Sequence, residues 1–442
     1  MKAILLDGSS QGDRTGERIG AALRAQLEAS GRDVKHVLLR ERKIGNCAGD
    51  FYCWIRSPGI CNIDDDNRVI AQGIVASDLV VYLTPVTFGG YSSNLKRMVD
   101  HQIQNISPFF TTIEGEIHHK TRYANNPDLL AVGWMDSPDE RVAAVFGHLV
   151  QRNALNLHAR TSVAAVVTAD LTDGELQAAA QGWLGDIEDG RTTPPARLPE
   201  SHADVGEASE VRRALLLVGS PRTRKSTSQV LGGYLYEQLQ AWSIQVKTIY
   251  PHTVLRSAAK TRELLDAVEE ADLVTLASPL YVDSLPAPVI DTLERIAAHR
   301  RGRHGRPQLF AAIVNCGFPE VVHNATALAI SETFAKQAGF EWAGSLALGG
   351  GGALNGAPLT GRRTAPLRRA LEMAANTLAE GRPIPTAAQE LFDTWKISQL
   401  AYRLVGNVGW YFTARPYGAW RSLKQRPYEP NQGHPRAEMA LR

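Results

Sequence analysis

The sequence predicts an α/β protein with two doubly wound, five-stranded parallel sheets in tandem, followed by an aromatic-rich C-terminal arm. Two segments that begin alike indicate the duplication: residues 2–23 (KAILLDGSSQGDRTGERIGAAL) and residues 213–235 (RALLLVGSPRTRKSTSQVLGGYL). Each has the pattern of a buried strand, a Gly-Ser loop and a helix. Continuous apolar strands that alternate with helical patterns are typical of a parallel sheet covered by helices on both faces.

Five apolar runs in each half are the candidate strands. In the first half they are residues 2–6, 34–39, 79–83, 129–134 and 163–168, and in the second half 214–218, 245–250, 273–276, 310–315 and 342–348. The crossovers between parallel strands are expected to be right-handed. The predicted domains are 1–185 and 211–383, with a Pro-rich and charged linker at 186–210 and the arm at 384–442.

The composition excludes several classes of protein. With 44% hydrophobic and 21% charged residues, the chain can bury a large core. A net charge of +2 gives no global field that favours nucleic acid or an anionic membrane. The start MKAILLDGSS lacks the pattern of a signal peptide, and no apolar run approaches the roughly 20 residues of a spanning helix. We therefore expect a cytoplasmic protein without a nucleic-acid partner and without membrane contact.

The two Gly-Ser loops are candidate phosphate-binding loops. The ligand crevice of an open parallel sheet lies beyond the carboxyl ends of its strands, and the helix that follows each loop offers amide donors and a positive dipole end. The polar candidates are Ser9, Ser10, Arg14 and Thr15 in the first half and Ser220, Arg222, Ser226 and Thr227 in the second. Helix capping alone would also explain Ser226. Neither GxxxxGK[ST] nor GxGxxG is present, so the loops match neither the triphosphate nor the dinucleotide fingerprint.

Several motifs together resemble the flavodoxin-like NAD(P)H-dependent FMN reductases. They are GSPR…ST after the first strand, the third-strand endings SPLY and TPVTF, and Lys96 four residues before Asp100. The first half also resembles the iron-sulfur flavoprotein branch. The resemblance covers both halves but neither the linker nor the arm. It implies tandem flavodoxin-like domains, FMN as cofactor, NADH or NADPH as co-substrate, and an intrachain pseudo-dimer that could also form a homo-oligomer.

The resemblance also implies which residues contact FMN, with the first loop on its phosphate and the loops after the third and fourth strands on its ring. In the first half these are Ser9, Ser10, Thr15, Thr84, Pro85, Val86, Thr87 and Phe88. In the second half they are Ser220, Arg222, Ser226, Thr227, Pro279, Leu280, Tyr281, Val282, Asn315, Gly317 and Phe318. Phe88 and Tyr281 are the expected ring neighbours. No catalytic side chain is expected, because the cofactor carries the chemistry.

The two copies depart from the family pattern in opposite ways. The first loop lacks the Pro-Arg of GSPR, whereas Ile290 takes the place of Lys96 in the second copy. The second loop is the better phosphate cradle, and the first half keeps the better loop and helix after its third strand. Either one or both halves could therefore bind FMN.

Three of the four cysteines lie in one segment, residues 46–66 (NCAGDFYCWIRSPGICNIDDD), which has no counterpart in the second copy. Asp50 takes the place of the second cysteine of an iron-sulfur motif, and a carboxylate is a poorer ligand for such a cluster. The alternatives are a cluster, a thiol or disulfide redox pair, a zinc site and simple packing. We adopt a lid over the crevice, with no metal, in which Asp64 or Asp65 caps the next helix.

The leading hypothesis is an FMN-dependent oxidoreductase that transfers a hydride from NAD(P)H to flavin and electrons on to a quinone, a flavin or another small acceptor. One alternative is an electron-transfer or redox-sensing flavoprotein without turnover, and another is a flavin-free interaction scaffold. The arm is expected to pack on the domains or on a neighbouring subunit. Its Trp, Tyr and Arg residues also suit an interfacial membrane segment, although glycines and a proline interrupt it.

Overall fold

The computed structural model describes residues 1–206, 210–303 and 305–429. Parts of the predicted linker and the end of the predicted arm lie outside the described residues. The described chain forms two compact units, of which the first combines Met1–Arg197 with residues 403–429, and the second is Leu198–Tyr402.

The first unit contains a five-stranded parallel sheet with the strand order β2-β1-β3-β6-β7. Its elements are β1 (Lys2–Asp7), α1 (Arg14–Ala29), β2 (Asp33–Leu38), α2 (Tyr52–Ile55), α3 (Asp66–Val75), β3 (Leu79–Pro85), α4 (Ser93–His101), β4 (Ile106–Ile113), β5 (Glu116–Thr121), β6 (Asp128–Met135), α5 (Glu140–Leu157), β7 (Ser162–Thr168) and α6 (Asp173–Glu188). The strand order reverses between β1 and β3, where an open sheet of this kind binds its ligand.

The second unit contains a sheet of the same topology, with the strand order β12-β11-β10-β8-β9. Its elements are β8 (Arg213–Val218), α7 (Thr227–Ala241), β9 (Gln245–Ile249), α8 (Pro251–Val254), α9 (Ala258–Glu270), β10 (Leu273–Pro279), α10 (Ala287–Arg300), β11 (Leu309–Asn315), α11 (Ala325–Gln337), β12 (Glu341–Leu348), α12 (Ala365–Ala379) and α13 (Thr386–Phe392), after which comes α14 (Gln399–Ala414). Two tandem flavodoxin-like sheets are thereby confirmed.

All ten predicted strands are present. The central strands are runs of apolar residues that the sheet buries, whereas the edge strands β2 and β9 are largely half-buried or exposed. In β3 and β10, for example, every residue before the final proline is buried. The antiparallel hairpin of β4 and β5 was not predicted. It turns at Glu114 and Gly115, both of which have positive φ. The Glu-Gly pair between two segments that contain aromatic and β-branched residues was the signal that could have revealed it.

The C-terminal segment contributes to the core of each unit separately. In the second unit, Ala388 and Phe392 of α13 join the apolar cluster between the sheet, α7 and α12. In the first unit, Ala414 and Leu423 pack in a cluster with Trp54 of the cysteine segment. Among the described residues, no helix is both long and apolar enough to span a bilayer.

Candidate functional site

Hydroxyl groups hold the carboxyl ends of β1 and β3 together in the first unit. Thr84 Oγ1 accepts a hydrogen bond from the Ser92 amide (2.9 Å), and Ser92 Oγ donates to the Gly8 carbonyl (2.8 Å). A Cβ at Gly8 would lie 2.7 Å from Leu95 Cβ, so the close approach of this loop to α4 requires glycine. Thr84 is fully buried in these contacts and therefore positions the loop.

The second unit repeats this arrangement. The Gly219 amide donates to the Ala277 carbonyl at 2.8 Å, as the Gly8 amide donates to the Leu83 carbonyl at 2.7 Å. A Cβ at Gly219 would lie 2.7 Å from Ser278 Oγ. The duplicated motifs thus build the same crevice floor in both units.

A tight turn follows the third strand of each sheet. Thr87 and Gly90 exchange two backbone hydrogen bonds (2.9 and 2.7 Å), as do Tyr281 and Ser284 (2.8 and 3.1 Å). Phe88 is buried, with only 6% of its surface exposed. The other residues predicted to line the ring from these loops are half-buried: Pro85, Val86, Thr87, Pro279, Leu280, Tyr281 and Val282. The two turns therefore present a wall at the edge of each crevice.

The Gly-Ser loop of the first unit ends in an acidic helix cap. The carboxylate of Asp13 accepts hydrogen bonds from a first-turn amide of α1 (3.0 Å) and from the Trp134 indole (3.2 Å). Glu17 adds a second acidic group to this turn. Of the predicted phosphate ligands, Ser10 is exposed and Thr15 is half-buried. The N-terminus of α1, where a phosphate would bind, thus carries negatively charged side chains.

Ser9, which was predicted to bind phosphate, is buried in a network of its own unit. Its hydroxyl accepts a hydrogen bond from Arg40 Nη1 (2.8 Å), and its amide donates to Asp7 Oδ1 (2.8 Å). Burial by itself would raise the pKa of Asp7, but the hydrogen bonds from His36 and Ser9 outweigh burial and lower that pKa. The Asp7 carboxylate is therefore ionised beneath the loop, where His36 and the Arg40 guanidinium also lie.

The corresponding helix of the second unit, α7, has a neutral cap. Ser226 Oγ accepts from the Gln229 amide (3.1 Å) and donates to the Thr223 carbonyl (2.6 Å). The first turn of α7 has no acidic residue. Thr227 Oγ1 donates to the Gly351 carbonyl (2.9 Å), which ties the helix to the loop after β12.

Positive charge precedes α7. Arg222, Arg224 and Lys225 are exposed in the loop, and Ser220 is buried at its start. The Arg222 amide contacts Ser220 Oγ at 3.3 Å, and Arg222 Nη2 donates to Asn355 Oδ1 at 3.0 Å. The second loop therefore combines a helix terminus with cations, both of which favour a phosphate dianion, while the hydroxyls of Ser226 and Thr227 donate to carbonyls of their own unit.

The glycine-rich loop after β12 completes this end of the second unit and was not predicted. A Cβ at Gly356 would lie 2.9 Å from the Lys225 backbone, and one at Gly351 would lie 3.1 Å from the Cys316 carbonyl. The backbone of this loop thus lies against both the Gly-Ser loop and the end of β11. The run GGGGALNG was the sequence signal, since backbone that approaches closely requires glycine.

The end of β11 supplies the remaining predicted residues. Asn315 Oδ1 accepts from Ser228 Oγ (2.9 Å), so this side chain fixes α7 to the strand. Gly317 is exposed and Phe318 is half-buried beyond it. Burial raises the pKa of the Cys316 thiol to about 12, so this group is protonated near neutral pH.

The cysteine segment of the first unit surrounds a cavity of about 20 Å³, enough for about one water molecule. Cys47, Cys53 and Cys61 line it together with Asp50 and His101. Burial raises the pKa of all three thiols, to about 12 for Cys47. In this cavity the thiols are therefore protonated.

Polar contacts of the segment are satisfied within the first unit. His101 Nε2 donates to the Gly45 carbonyl (2.8 Å), which leaves Nδ1 to face Cys61 Sγ at 3.4 Å. Asp50 Oδ1 accepts from the Tyr52 amide (3.0 Å). Asp65, one of the two predicted caps, caps α3.

Three further charged or titratable side chains, Lys96, Asp100 and His119, are buried in the first unit. Lys96 and Asp100 of α4 form an ion pair in which both side chains are 1% exposed. His119 lies against Trp54, with ring centroids 4.5 Å apart. Burial lowers the pKa of His119 to about 3, against the opposing effect of its hydrogen bond to the Pro108 carbonyl. His119 is thus neutral in the folded protein.

Comparisons with known proteins found several flavin-dependent reductases of low sequence identity. Among solved structures, an NADH:FMN oxidoreductase in its apo form is 15% identical, with 45% of this chain and 94% of that chain covered and a TM-score of 0.30. A putative quinone reductase from Klebsiella pneumoniae is 11% identical (44% and 86% covered, TM-score 0.34). An FMN-dependent NADH-azoreductase from Bacillus anthracis, in complex with FMN, is 12% identical (38% and 99% covered, TM-score 0.29). No curated protein matches the chain.

A family profile gives the assignment. The profile described as NADPH-dependent FMN reductase matches residues 1–123 and again residues 212–328, which together exceed half of the chain. Each match begins at the first strand of a unit and includes its Gly-Ser loop and third-strand turn. The chain therefore belongs to the NADPH-dependent FMN reductase family, flavin-dependent oxidoreductases that use FMN and a reduced nicotinamide nucleotide.

Proposed function

We propose that this protein oxidises NADPH or NADH through one FMN, held in the second unit, and reduces a quinone, a flavin or another small acceptor. One observation carries the choice of unit. Helix α7 begins with the hydroxyl cap Ser226 behind a basic loop, whereas α1 begins with the carboxylate cap Asp13.

The residues of the second unit fit the phosphate of FMN. The first-turn amides of α7 lack partners within the helix, and the dipole of the helix favours an anion at this end. Arg222, Arg224 and Lys225 add positive charge. In the first unit, Asp13 would repel the same group. Even in water, two unit charges about 4 Å apart interact by roughly 1 kcal/mol.

The second unit must also hold the flavin ring and limit the access of water to it. The turn at residues 279–282 and the backbone at residues 315–318 stand at the ends of β10 and β11, where the crevice opens. When bound, FMN supplies the hydride-accepting centre, so no acid or base of the protein is required for reduction. Tyr281 is half-buried and is the aromatic residue that we place beside the ring.

The test is the visible spectrum and the flavin content of the purified full-length chain after loading with FMN and removal of the excess. We expect a flavin absorption band that corresponds to one FMN per chain and that bleaches anaerobically on addition of NADPH or NADH. Steady-state assays with a quinone, free FMN and a nitro compound would then identify the acceptor class.

Each other result has a definite meaning. A loaded chain without a flavin band would contradict the proposal and favour an interaction scaffold. Two FMN molecules per chain would show that Asp13 does not prevent binding in the first unit. A bound flavin that neither nucleotide reduces would favour an electron-transfer or sensing protein instead of an enzyme.

A further inference from the structure

Helix α14 carries an exposed apolar ridge. Leu404, Val405, Val408 and Phe412 are 58%, 72%, 56% and 66% exposed. Their spacing places them on one face of the helix. A contiguous exposed apolar surface of this kind marks an interaction site.

The opposite face of α14 is fixed to the β4–β5 hairpin of the first unit. Asn407 Oδ1 accepts from the Phe110 amide (2.6 Å), and Arg403 Nη1 donates to Thr112 Oγ1 (2.9 Å). A Cβ at Gly406 would lie 2.5 Å from the Phe110 ring, so the helix backbone packs directly on that ring. The helix is therefore anchored in one orientation, with its apolar ridge turned outwards.

The sequence around the ridge is strongly basic. Between Asp393 and Glu429 there is no acidic residue, and the cations are Lys396, Arg403, Arg415, Arg421, Lys424 and Arg426. All of these except Arg403 are exposed. Exposed aromatic rings accompany them at Tyr417 and Trp420. An apolar helix face flanked by Arg, Lys, Trp and Tyr is typical of a segment that lies at a membrane interface.

A basic groove of about 400 Å³ runs beside the ridge, shares Val408 with it and is also lined by Tyr411. Its cationic lining residues are Lys120, Arg122, Lys424 and Arg426, and no acidic side chain of the described chain lines it. Such a groove has the charge and size for a phosphate-bearing headgroup.

Arg122 is the strongest sign that this groove binds an anion. Its side chain is buried, with 4% of the residue exposed, and Nη1 donates to the carbonyl oxygens of Leu423 (3.1 Å) and Gln425 (2.7 Å). Its Nη2 atom has no hydrogen-bond partner among the described residues. Nη2 itself is buried away from the groove, but no carboxylate among the described residues pairs with this guanidinium, so its charge favours an anion in the groove.

We propose that the apolar ridge and the basic groove form a peripheral membrane-binding surface that seats on anionic phospholipid. The lipid phosphate enters the groove near Arg122, and the ridge enters the boundary between headgroups and acyl chains. Association of two copies through this face would place like charges opposite each other, which disfavours a dimer. The proposal does not depend on the bound flavin or on its acceptor.

The test is flotation of the full-length protein with vesicles of phosphatidylcholine alone or with phosphatidylglycerol added. We expect binding to the anionic vesicles only, with an affinity that decreases as salt increases. The double variant V405E/F412E should abolish binding to the anionic vesicles. The variant K424E/R426E should weaken this binding by about fivefold for each of the two cations that it loses. The matched controls, V321E/V322E and K260E/R262E, make the same charge changes at exposed positions elsewhere and should bind like the parent.

Several results would overturn the proposal. They are absence of binding to anionic vesicles, equal binding to neutral vesicles, or equal loss in the controls. A concentration-dependent dimer that V405E/F412E dissociates, without vesicle binding, would make the ridge an interface between copies. If inorganic phosphate at the same phosphate concentration displaces the protein from the vesicles, the groove is a site for soluble anions. Circular dichroism and flavin content of each variant check that it is folded.

Discussion

Replacing Ser226 by aspartate would give α7 the acidic cap that α1 has naturally. Serine and aspartate are comparable helix caps, so the hydrogen bond from the Gln229 amide should be retained, whereas the bond that Ser226 Oγ donates to the Thr223 carbonyl is lost. The change therefore adds negative charge to the proposed phosphate site, and the melting temperature of the variant shows what the lost bond contributes to folding.

The expected loss follows from Coulomb's law. The phosphate of FMN carries close to two negative charges, and each interacts with a carboxylate about 4 Å away by roughly 1 kcal/mol in water. A total of about 2 kcal/mol corresponds to roughly 30-fold weaker binding. High salt should reduce this difference, because the site is at the surface.

Binding is measured by titrating the flavin-free protein with FMN and following the quenching of flavin fluorescence. Ser226→Ala is the matched control, since it removes the cap, and about 1 kcal/mol of stability, without adding charge. Asp13→Ser is the reciprocal variant, and it should leave binding in the second unit unchanged. Adding Arg222→Asp to Ser226→Asp should weaken binding further.

The reasoning would be refuted by an unchanged dissociation constant for Ser226→Asp, with the melting temperature retained. Tighter binding in Asp13→Ser would instead assign the flavin to the first unit, because a repelling carboxylate would have been removed there. Equal losses in Ser226→Asp and Ser226→Ala would show that the cap matters through helix stability and not through charge.

Three further results are expected. Iron and acid-labile sulfide in anaerobically purified protein should be well under one four-iron cluster per chain, and Cys61→Ser should lower the free energy of unfolding by roughly 0.5–3 kcal/mol without slowing NADPH oxidation. About four of each per chain, or a slowed oxidation, would contradict this. His119 is neutral in the folded protein, whereas in the unfolded chain it binds a proton as the pH falls below about 6.5. The free energy of unfolding measured by denaturation should therefore decrease by about 1.4 kcal/mol per pH unit below that pH. An equally steep profile in His119→Phe would exclude His119 as the cause. Lys96→Met should lower the free energy of unfolding by about 3–5 kcal/mol, and adding Asp100→Asn should restore part of it, whereas no recovery would argue against a charge effect.

The central strands were predictable because nearly every residue in them is buried and therefore apolar. The run LLLV in β8, for example, contains only apolar side chains, as expected of a parallel strand that is covered on both faces of the sheet. The hairpin of β4 and β5 escaped prediction because its strands mix polar and apolar residues. Its turn also depends on a non-glycine residue with positive φ, Glu114.

The site was less predictable than the fold, because hydroxyl groups in a motif can bind a ligand or the protein itself. Ser9 and Thr84 are predicted to contact FMN, and in the structure both are buried in hydrogen bonds within the first unit, so their contact with FMN stays a prediction. The role of Asp13 depends on which residue caps α1, and the sequence allowed several. Gly356 could not be placed beside the phosphate loop until the path of the chain after β12 was known.

The first unit is discontinuous in sequence, and this imposes an order on its biosynthesis. The cluster around Trp54 is completed by Ala414, Ala419 and Leu423, which leave the ribosome after the whole second unit. At roughly 5–20 residues per second, synthesis of the intervening chain takes on the order of 10 to 45 seconds. During that interval the nascent first unit exposes an aromatic surface that chaperones and proteases can recognise. A premature stop anywhere in the second unit would make that exposure permanent.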